Sequence, residues 1–203
     1  MVISEIAFDS RGLVFFVNSG GEEAHATIWR SINNGEHWTN IPLPSLYPVD
    51  VEISPNGYLY VATAQGVFRS ANGGNTWLSA SLGLTSKVVH KVASDNSGTI
   101  YASTLGGVFS SPNNGLSWHE TSLSKPCMDI LLTIQDVGLF AGDGLLDCSD
   151  PNKIYFSKDK GRSWTQLNNG LPDEVVTRSA ISTTDYVFLG TRSHGVFKTS
   201  LHK

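Results

Sequence analysis

Residues 66–77 read GVFRSANGGNTW, and residues 107–118 read GVFSSPNNGLSW. Related phrases are TIWRSINNGEHW at 27–38 and KIYFSKDKGRSW at 153–164, with a truncated GVFKTS at 195–200. Aligning Ser31, Ser70, Ser111, Ser157 and Thr199 gives a period near forty residues, within the range of propeller blades. The longest step carries an insertion from Leu145 to Pro151.

Each period divides into four short strands. In the third, VVHKVAS (88–94), TIYAST (99–104), GVFSS (107–111) and LSWHET (116–121) are separated by Asp95-Asn96-Ser97-Gly98, Leu105-Gly106 and Asn113-Asn114-Gly115. The runs are rich in β-branched and aromatic residues and are bounded by turn formers, as antiparallel hairpins require. The second period reads VDVEIS/YLYVAT/GVFRS/NTWLSA, the fourth MDILLT/GLFAGD/KIYFS/RSWTQL, and the first SEIAFDS/LVFFVN/TIWRS/EHWTNI. One such sheet cannot bury both its faces, whereas sheets stacked around an axis can. The expectation is an all-β propeller of about five four-stranded blades in one domain, 1–203, with blades at about 1–41, 42–81, 82–123, 124–169 and 170–203. Trp29, Phe68, Phe109, Tyr155 and Phe197 on the third strands, and Trp38, Trp77, Trp118 and Trp164 on the fourth, are the expected packing residues between blades. Residues 195–203 leave no room for a fourth strand, so the fifth blade is expected to have three. Its open edge implies completion by a partner chain, by self-association or by sequence outside these residues.

Composition narrows the function. The net charge is −4 and no Lys/Arg cluster occurs, which argues against nucleic acid, whose binding rests on phosphate neutralisation. No segment approaches the ~18 apolar residues of a membrane span. The start, MVISEIAFDSRG, has neither the basic nor the apolar region of a signal peptide. Cys127 and Cys148 match no zinc spacing, and read either as two free thiols or as a disulfide in an oxidising compartment.

The motif Ser157-Lys158-Asp159-Lys160-Gly161-Arg162-Ser163-Trp164 resembles the Asp-box, or BNR repeat, of sialidases, sortilin-like receptors and bacterial propellers. Asn33, Asn72 and Asn113 stand where that family has Asp, in motifs that otherwise keep Ser31, Gly35 and Trp38, Ser70, Gly74 and Trp77, and Ser111, Gly115 and Trp118. The wording is especially similar to photosystem II assembly factor-like and sialidase-like repeat proteins. The residues have a mechanical rationale. The Asp or Asn oxygen accepts N–H groups inside the turn, the glycines supply positive φ, and each Trp packs into the blade. The resemblance places these boxes between strands three and four, opposite the ligand face, and implies family members that are often extracytoplasmic.

A sialidase grips its substrate with an arginine triad announced by Arg-Ile-Pro, and that motif is absent here. Of the arginines only Arg178 and Arg192 fall toward the non-box face. Positions entering the first strands of the blades are Ser4, Asp50, His90, Asp129 and Thr177. The ligand-face candidates are therefore Asp50, His90, Asp129, Asp143, Arg178 and Arg192. Two loops, 19–26 and 142–152, and the link 42–48 with Leu46 and Tyr47 are further recognition surfaces. Asp143, Asp147 and Asp150 lack the spacing of a calcium loop, so no metal site is assigned, and no cofactor motif occurs. His37 and His119 beside the box tryptophans read as surface strand residues. The leading functional reading is a non-enzymatic scaffold for a protein or glycan ligand. The alternative is a degenerate or unrecognised sialidase-like glycoside hydrolase.

Overall fold

A computed structural model describes residues 3–9, 11–18, 26–44, 47–124, 128–134, 138–143, 154–167, 176–181, 186–191 and 194–200; for 128–134, 143, 176–181, 199 and 200 the backbone alone is described. The described residues are all-β and form five antiparallel sheets. Blade one contains β1 (Ile3–Phe8), β2 (Val14–Asn18), β3 (Thr27–Ser31) and β4 (Thr39–Ile41), paired in chain order. Blade two contains β5 (Pro48–Ile53), β6 (Leu59–Thr63), β7 (Gly66–Ser70) and β8 (Leu78–Ser79). Blade three contains β9 (Val89–Ser94), β10 (Ile100–Thr104), β11 (Gly107–Ser111) and β12 (His119–Glu120). Blade four contains β13 (Met128–Ile134), β14 (Gly138–Asp143), β15 (Ile154–Ser157) and β16 (Thr165–Gln166). Blade five has three strands among the described residues, β17 (Val176–Ile181), β18 (Tyr186–Thr191) and β19 (Val196–Ser200).

The first strands lie next to one another in the order β1, β5, β9, β13, β17, so the blades stand in chain order around the inner wall. Each blade has a front face toward the preceding blade and a rear face toward the following one. Because side chains alternate along a strand, the two faces draw on alternate residues. Blade one offers Ala7, Phe15, Val17, Ile28 and Ile41 from its rear to Val51, Leu59, Val61 and Trp77 on the front of blade two. Blade two offers Tyr60, Ala62, Val67 and Ala80 to Val92, Ile100, Ala102, Phe109 and Trp118 of blade three. Ala93, Tyr101 and Val108 of blade three meet Leu139, Ala141, Tyr155 and Trp164 of blade four. Burying one Val, Leu or Phe side chain is worth about 1.5–3 kcal/mol, so these repeated apolar layers dominate the packing.

The fourth strands are shorter than the sequence suggests. Strand four of the third blade is expected over 116–121, yet β12 spans only His119–Glu120. The Trp118 N–H donates instead to Leu82 O at 2.8 Å, in the link from blade two. Its indole Nε1–H donates to Ala80 O at 2.7 Å. Trp118 thus leaves its own ladder to bind the blade in front. Trp38, Trp77 and Trp164 likewise stand just before β4, β8 and β16 rather than within them.

Candidate functional site

All five first strands carry one extra residue near their start. The pairing registers place it at Ser4, Val49, His90, Asp129 and Thr177. Such a bulge leaves one residue unpaired and re-aims its neighbours. The residues just past it are structurally equivalent: Glu5, Asp50, Lys91, Ile130 and Arg178. Grouping Asp50 with Ser4 and His90 by sequence is therefore off by one residue, because the bulge is invisible in an alternating pattern. Asp50 shares its position with Glu5 and Lys91. Ser4, at the bulge, donates its hydroxyl to Val17 O at 3.3 Å. His90, at the bulge of β9, is half-buried.

Glu5, Asp50 and Lys91 converge where the first three blades meet. Lys91 Nζ donates to Asp50 Oδ1 at 2.9 Å and also to Glu5 Oε2. Asp50 is only 2% exposed. Its second oxygen, Oδ2, accepts the Val92 main-chain N–H at 2.7 Å. Two residues along the same strand, Glu52 Oε1 accepts the Ser94 N–H at 3.0 Å and the Ser94 hydroxyl. The free edge of β9 is therefore bound by two carboxylates from β5. A first strand exposes alternate N–H groups along its unpaired edge, and these cost free energy if buried without partners. The acidic pair Asp50-Val51-Glu52 answers that requirement, with its two carboxylates at matching two-residue spacing. A cavity of about 310 Å³ opens here, lined by Glu5, Asp50, Glu52 and Lys91 together with Ile6 and Phe8.

Electrostatics follow from burial. Desolvation is the largest influence on Glu52 and, with Asp50 and Glu5 nearby, raises it to about 7 despite its hydrogen bonds to Ser94. Burial also raises Asp50, against the opposing attraction of Lys91. Burial pulls the Lys91 ammonium down, but the Asp50 and Glu5 carboxylates more than offset this and leave it above its ordinary value.

The opposite face is built by the repeated turns between strands three and four. In blade two the Ser70 hydroxyl donates to Asn72 Oδ1 at 2.9 Å and accepts the N–H groups of Asn72 and Gly74. Asn72 Oδ1 then accepts the Thr76 N–H at 2.9 Å. Ser31 with Asn33 and Gly35, Ser111 with Asn113 and Gly115, and Ser157 with Asp159 and Gly161 reproduce this pattern. The tolerance of Asn for Asp has a visible cause. Asn72 and Asn113 donate from Nδ2 to Thr76 and Ser117, whereas Asp159 Oδ2 accepts from Ser163 at 2.6 Å. The hydroxyl at that position serves either direction. Hydrogen bonds from the Ser163 side chain and main chain and from Ser157 hold Asp159 down at about 2.

Two arginines tie these turns to the blade in front. Arg30 Nη1 donates to Gly73 O at 2.7 Å and to Asn75 Oδ1 at 2.8 Å. Arg69 Nη1 donates to Asn114 O at 2.6 Å, the equivalent carbonyl one blade on. A second device missed in the sequence is Thr63, whose hydroxyl donates to Gly66 O at 2.8 Å and accepts the Gln65 N–H. Thr104 with Gly107 and Thr191 with Gly195 repeat it across the strand two–three turn. The recurrent Thr before each Gly-Val-Phe is the signal that could have revealed it.

The remaining sequence candidates lie elsewhere. The backbone of Asp129 and Arg178 belongs to β13 and β17, and Asp143 ends β14, but their side chains fall outside the described residues. Arg192, Leu46, Asp147, Asp150, Cys127 and Cys148 also fall outside them. Tyr47 is described and exposed. Among the described residues no group of His, Cys, Asp and Glu is arranged to hold a metal, and no helix is long and apolar enough to cross a membrane.

No protein-family model and no curated protein matches the sequence. Solved structures do match. The GH74 xyloglucanase of Xanthomonas campestris aligns with 97% of this chain and 36% of its own, at 15% identity and a TM-score of 0.76. YCF48 bound to D1 peptide aligns with 98% of this chain and 64% of its own, at 18% identity and a TM-score of 0.66. A streptogramin B lyase aligns with 99% and 69%, at 12% identity and a TM-score of 0.74. The chain thus spans about a third to two thirds of the length of these structures. At such identities the likeness carries the fold alone, and with the five sheets it makes this chain a β-propeller.

Proposed function

We propose that this propeller is a non-enzymatic recognition scaffold of the Asp-box type, binding a segment of another protein at the wall formed by β1, β5 and β9. One observation carries the reading. The carboxylates nearest the cavity are already engaged: Asp50 by Lys91 and the Val92 N–H, and Glu52 by Ser94. Glycoside cleavage needs two carboxyl groups facing each other across a bond, and here Asp50 and Glu52 are both turned to the edge of β9. Glu5 and Lys91 are paired with each other but are both partly exposed, so the pair presents an accessible polar surface to a ligand. YCF48, of similar fold, was solved with a peptide, which favours a peptide over a glycan as the first class to test.

A second reading has its own support. Glu52 is raised to about 7, a value suited to a general acid, and a xyloglucanase shares the fold. Peptide and glycan arrays probed with the purified chain separate these readings when run beside xyloglucan and sialoside hydrolysis. Peptide binding that weakens in Lys91→Met, without turnover, supports the scaffold. Turnover that disappears in Glu52→Gln overturns it.

A further inference from the structure

The blade interfaces repeat one arrangement, a rear face pressed onto the next front face, and two faces of that kind are uncovered. On the front of blade one, Ile6 is 54% and Phe8 76% exposed, whereas Val51 and Val92, which match Ile6 in blades two and three, are 3% and 5% exposed. Trp38 is 37% exposed where Trp118 is 3%. Phe16 is sheltered by its own blade, 4.7 Å from Trp38 and 6.1 Å from Trp29 between ring centroids. The turn glycines record the same difference. A Cβ on Gly74, Gly115 or Gly161 would meet Ile41, Ala80 or Thr121 of the preceding blade within 3.3 Å, whereas one on Gly35 would meet only its own Trp38. On the rear of blade five, Val196 is 71% exposed, while its equivalents Val67 and Val108 are completely buried.

We propose that these two faces bind each other between chains: the rear of blade five in one copy packs on the front of blade one in a second copy. The occupant follows from continuity with the interfaces inside the chain. Those interfaces join unlike faces, and this chain presents one of each kind. The charge arrangement agrees. Lys198 is exposed and stands where Arg30 and Arg69 stand in blades one and two. In a second copy it faces the equivalent main-chain carbonyl, that of Asn34. Its ammonium now sits 3.6 Å from the Tyr186 ring centroid, an interaction it can keep or exchange. A contact between unlike faces makes a closed ring or an open series of copies.

The test uses the whole chain and two surface variants, Ile6→Asp/Phe8→Asp on the front and Val196→Asp on the rear. Mass in solution is measured by light scattering across a concentration series, with tryptophan fluorescence to show that each variant folds. The wild type is expected to form dimers or larger species. Each variant alone is expected to be monomeric, and an equal mixture of the two to form a dimer and nothing larger, through its single intact junction. A wild type that stays monomeric overturns the proposal, including the outcome in which Phe8 is protected from hydroxyl-radical labelling by a blade of its own chain. Loss of assembly in the front variant but not the rear one also overturns it, because like faces would then be in contact.

Discussion

The Asp50 carboxylate accepts the main-chain N–H of Val92 at 2.7 Å, across the boundary between blades two and three. With Lys91 on its other oxygen, this side chain joins two first strands at a point where neither could satisfy its polar groups alone. Asp50→Ala leaves a buried N–H and an under-compensated ammonium. The expected loss is about 2–3 kcal/mol of unfolding free energy, read from urea denaturation. Asp50→Asn, which keeps an acceptor oxygen, is expected to lose less.

Glu52 makes stability depend on pH. Its folded value of about 7 lies above the ordinary 4.5, so between those values the folded state binds more protons than the unfolded state. Stability therefore falls as pH rises from about 4.5 to 7, in the sense required by linkage. Burial is the main cause. Glu52→Gln keeps an oxygen for Ser94 and removes the titration. Its urea midpoint is expected to change less over this window and to exceed that of the wild type at pH 8.

The motif turns predict an order of effects. Gly161 and Gly35 both have positive φ, 85° and 89°. A Cβ at Gly161 would also lie 2.7 Å from Thr121 Cγ2, whereas at Gly35 the nearest atom is 3.5 Å away. Gly35→Ala is expected to cost about 1 kcal/mol for conformation, and Gly161→Ala visibly more, in parallel denaturation curves.

Arg69→Ala removes the bond to Asn114 O and the contact with the Tyr58 ring, whose centroid lies 5.5 Å from Arg69 Cζ. The expected loss is about 1–2 kcal/mol. Arg69→Lys, without the planar fork, is expected to recover part of it. The same pair of variants at Arg30 provides an independent check through the Gly73 carbonyl.

Ser103 is fully buried, and its hydroxyl has no hydrogen-bond partner among the described residues. The equivalent residue in blade two is Ala62. Ser103→Ala is expected to leave the melting temperature unchanged or raise it, since an unpartnered buried hydroxyl costs about 1–3 kcal/mol.

The blades were legible in the sequence because Gly-Val-Phe and the Ser-x-Asn-x-Gly turn recur with little change, and each copy is locally decisive. The five third strands follow from them directly. The inner wall was less legible. Glu5, Asp50 and Lys91 differ in type and sign, and the bulge before each shifts the register by one residue, so nothing in the letters marks them as equivalent. The purpose of Glu52 depends on a neighbouring strand some forty residues away, through the Ser94 N–H. Strand four is shorter than its letters suggest because Trp118 has good strand propensity, while the Leu82 carbonyl that captures its N–H is visible only in three dimensions.

The carboxylates at the inner wall join neighbouring first strands, and the proposed role of the face they support is to bind a ligand without cleaving it. The most direct measurement is release of reducing ends from xyloglucan and of sialic acid from a sialoside, by wild type and Glu52→Gln at matched folded concentration. Background release is expected from both proteins. Release by the wild type that is lost in Glu52→Gln, with the melting curve preserved, would contradict that role.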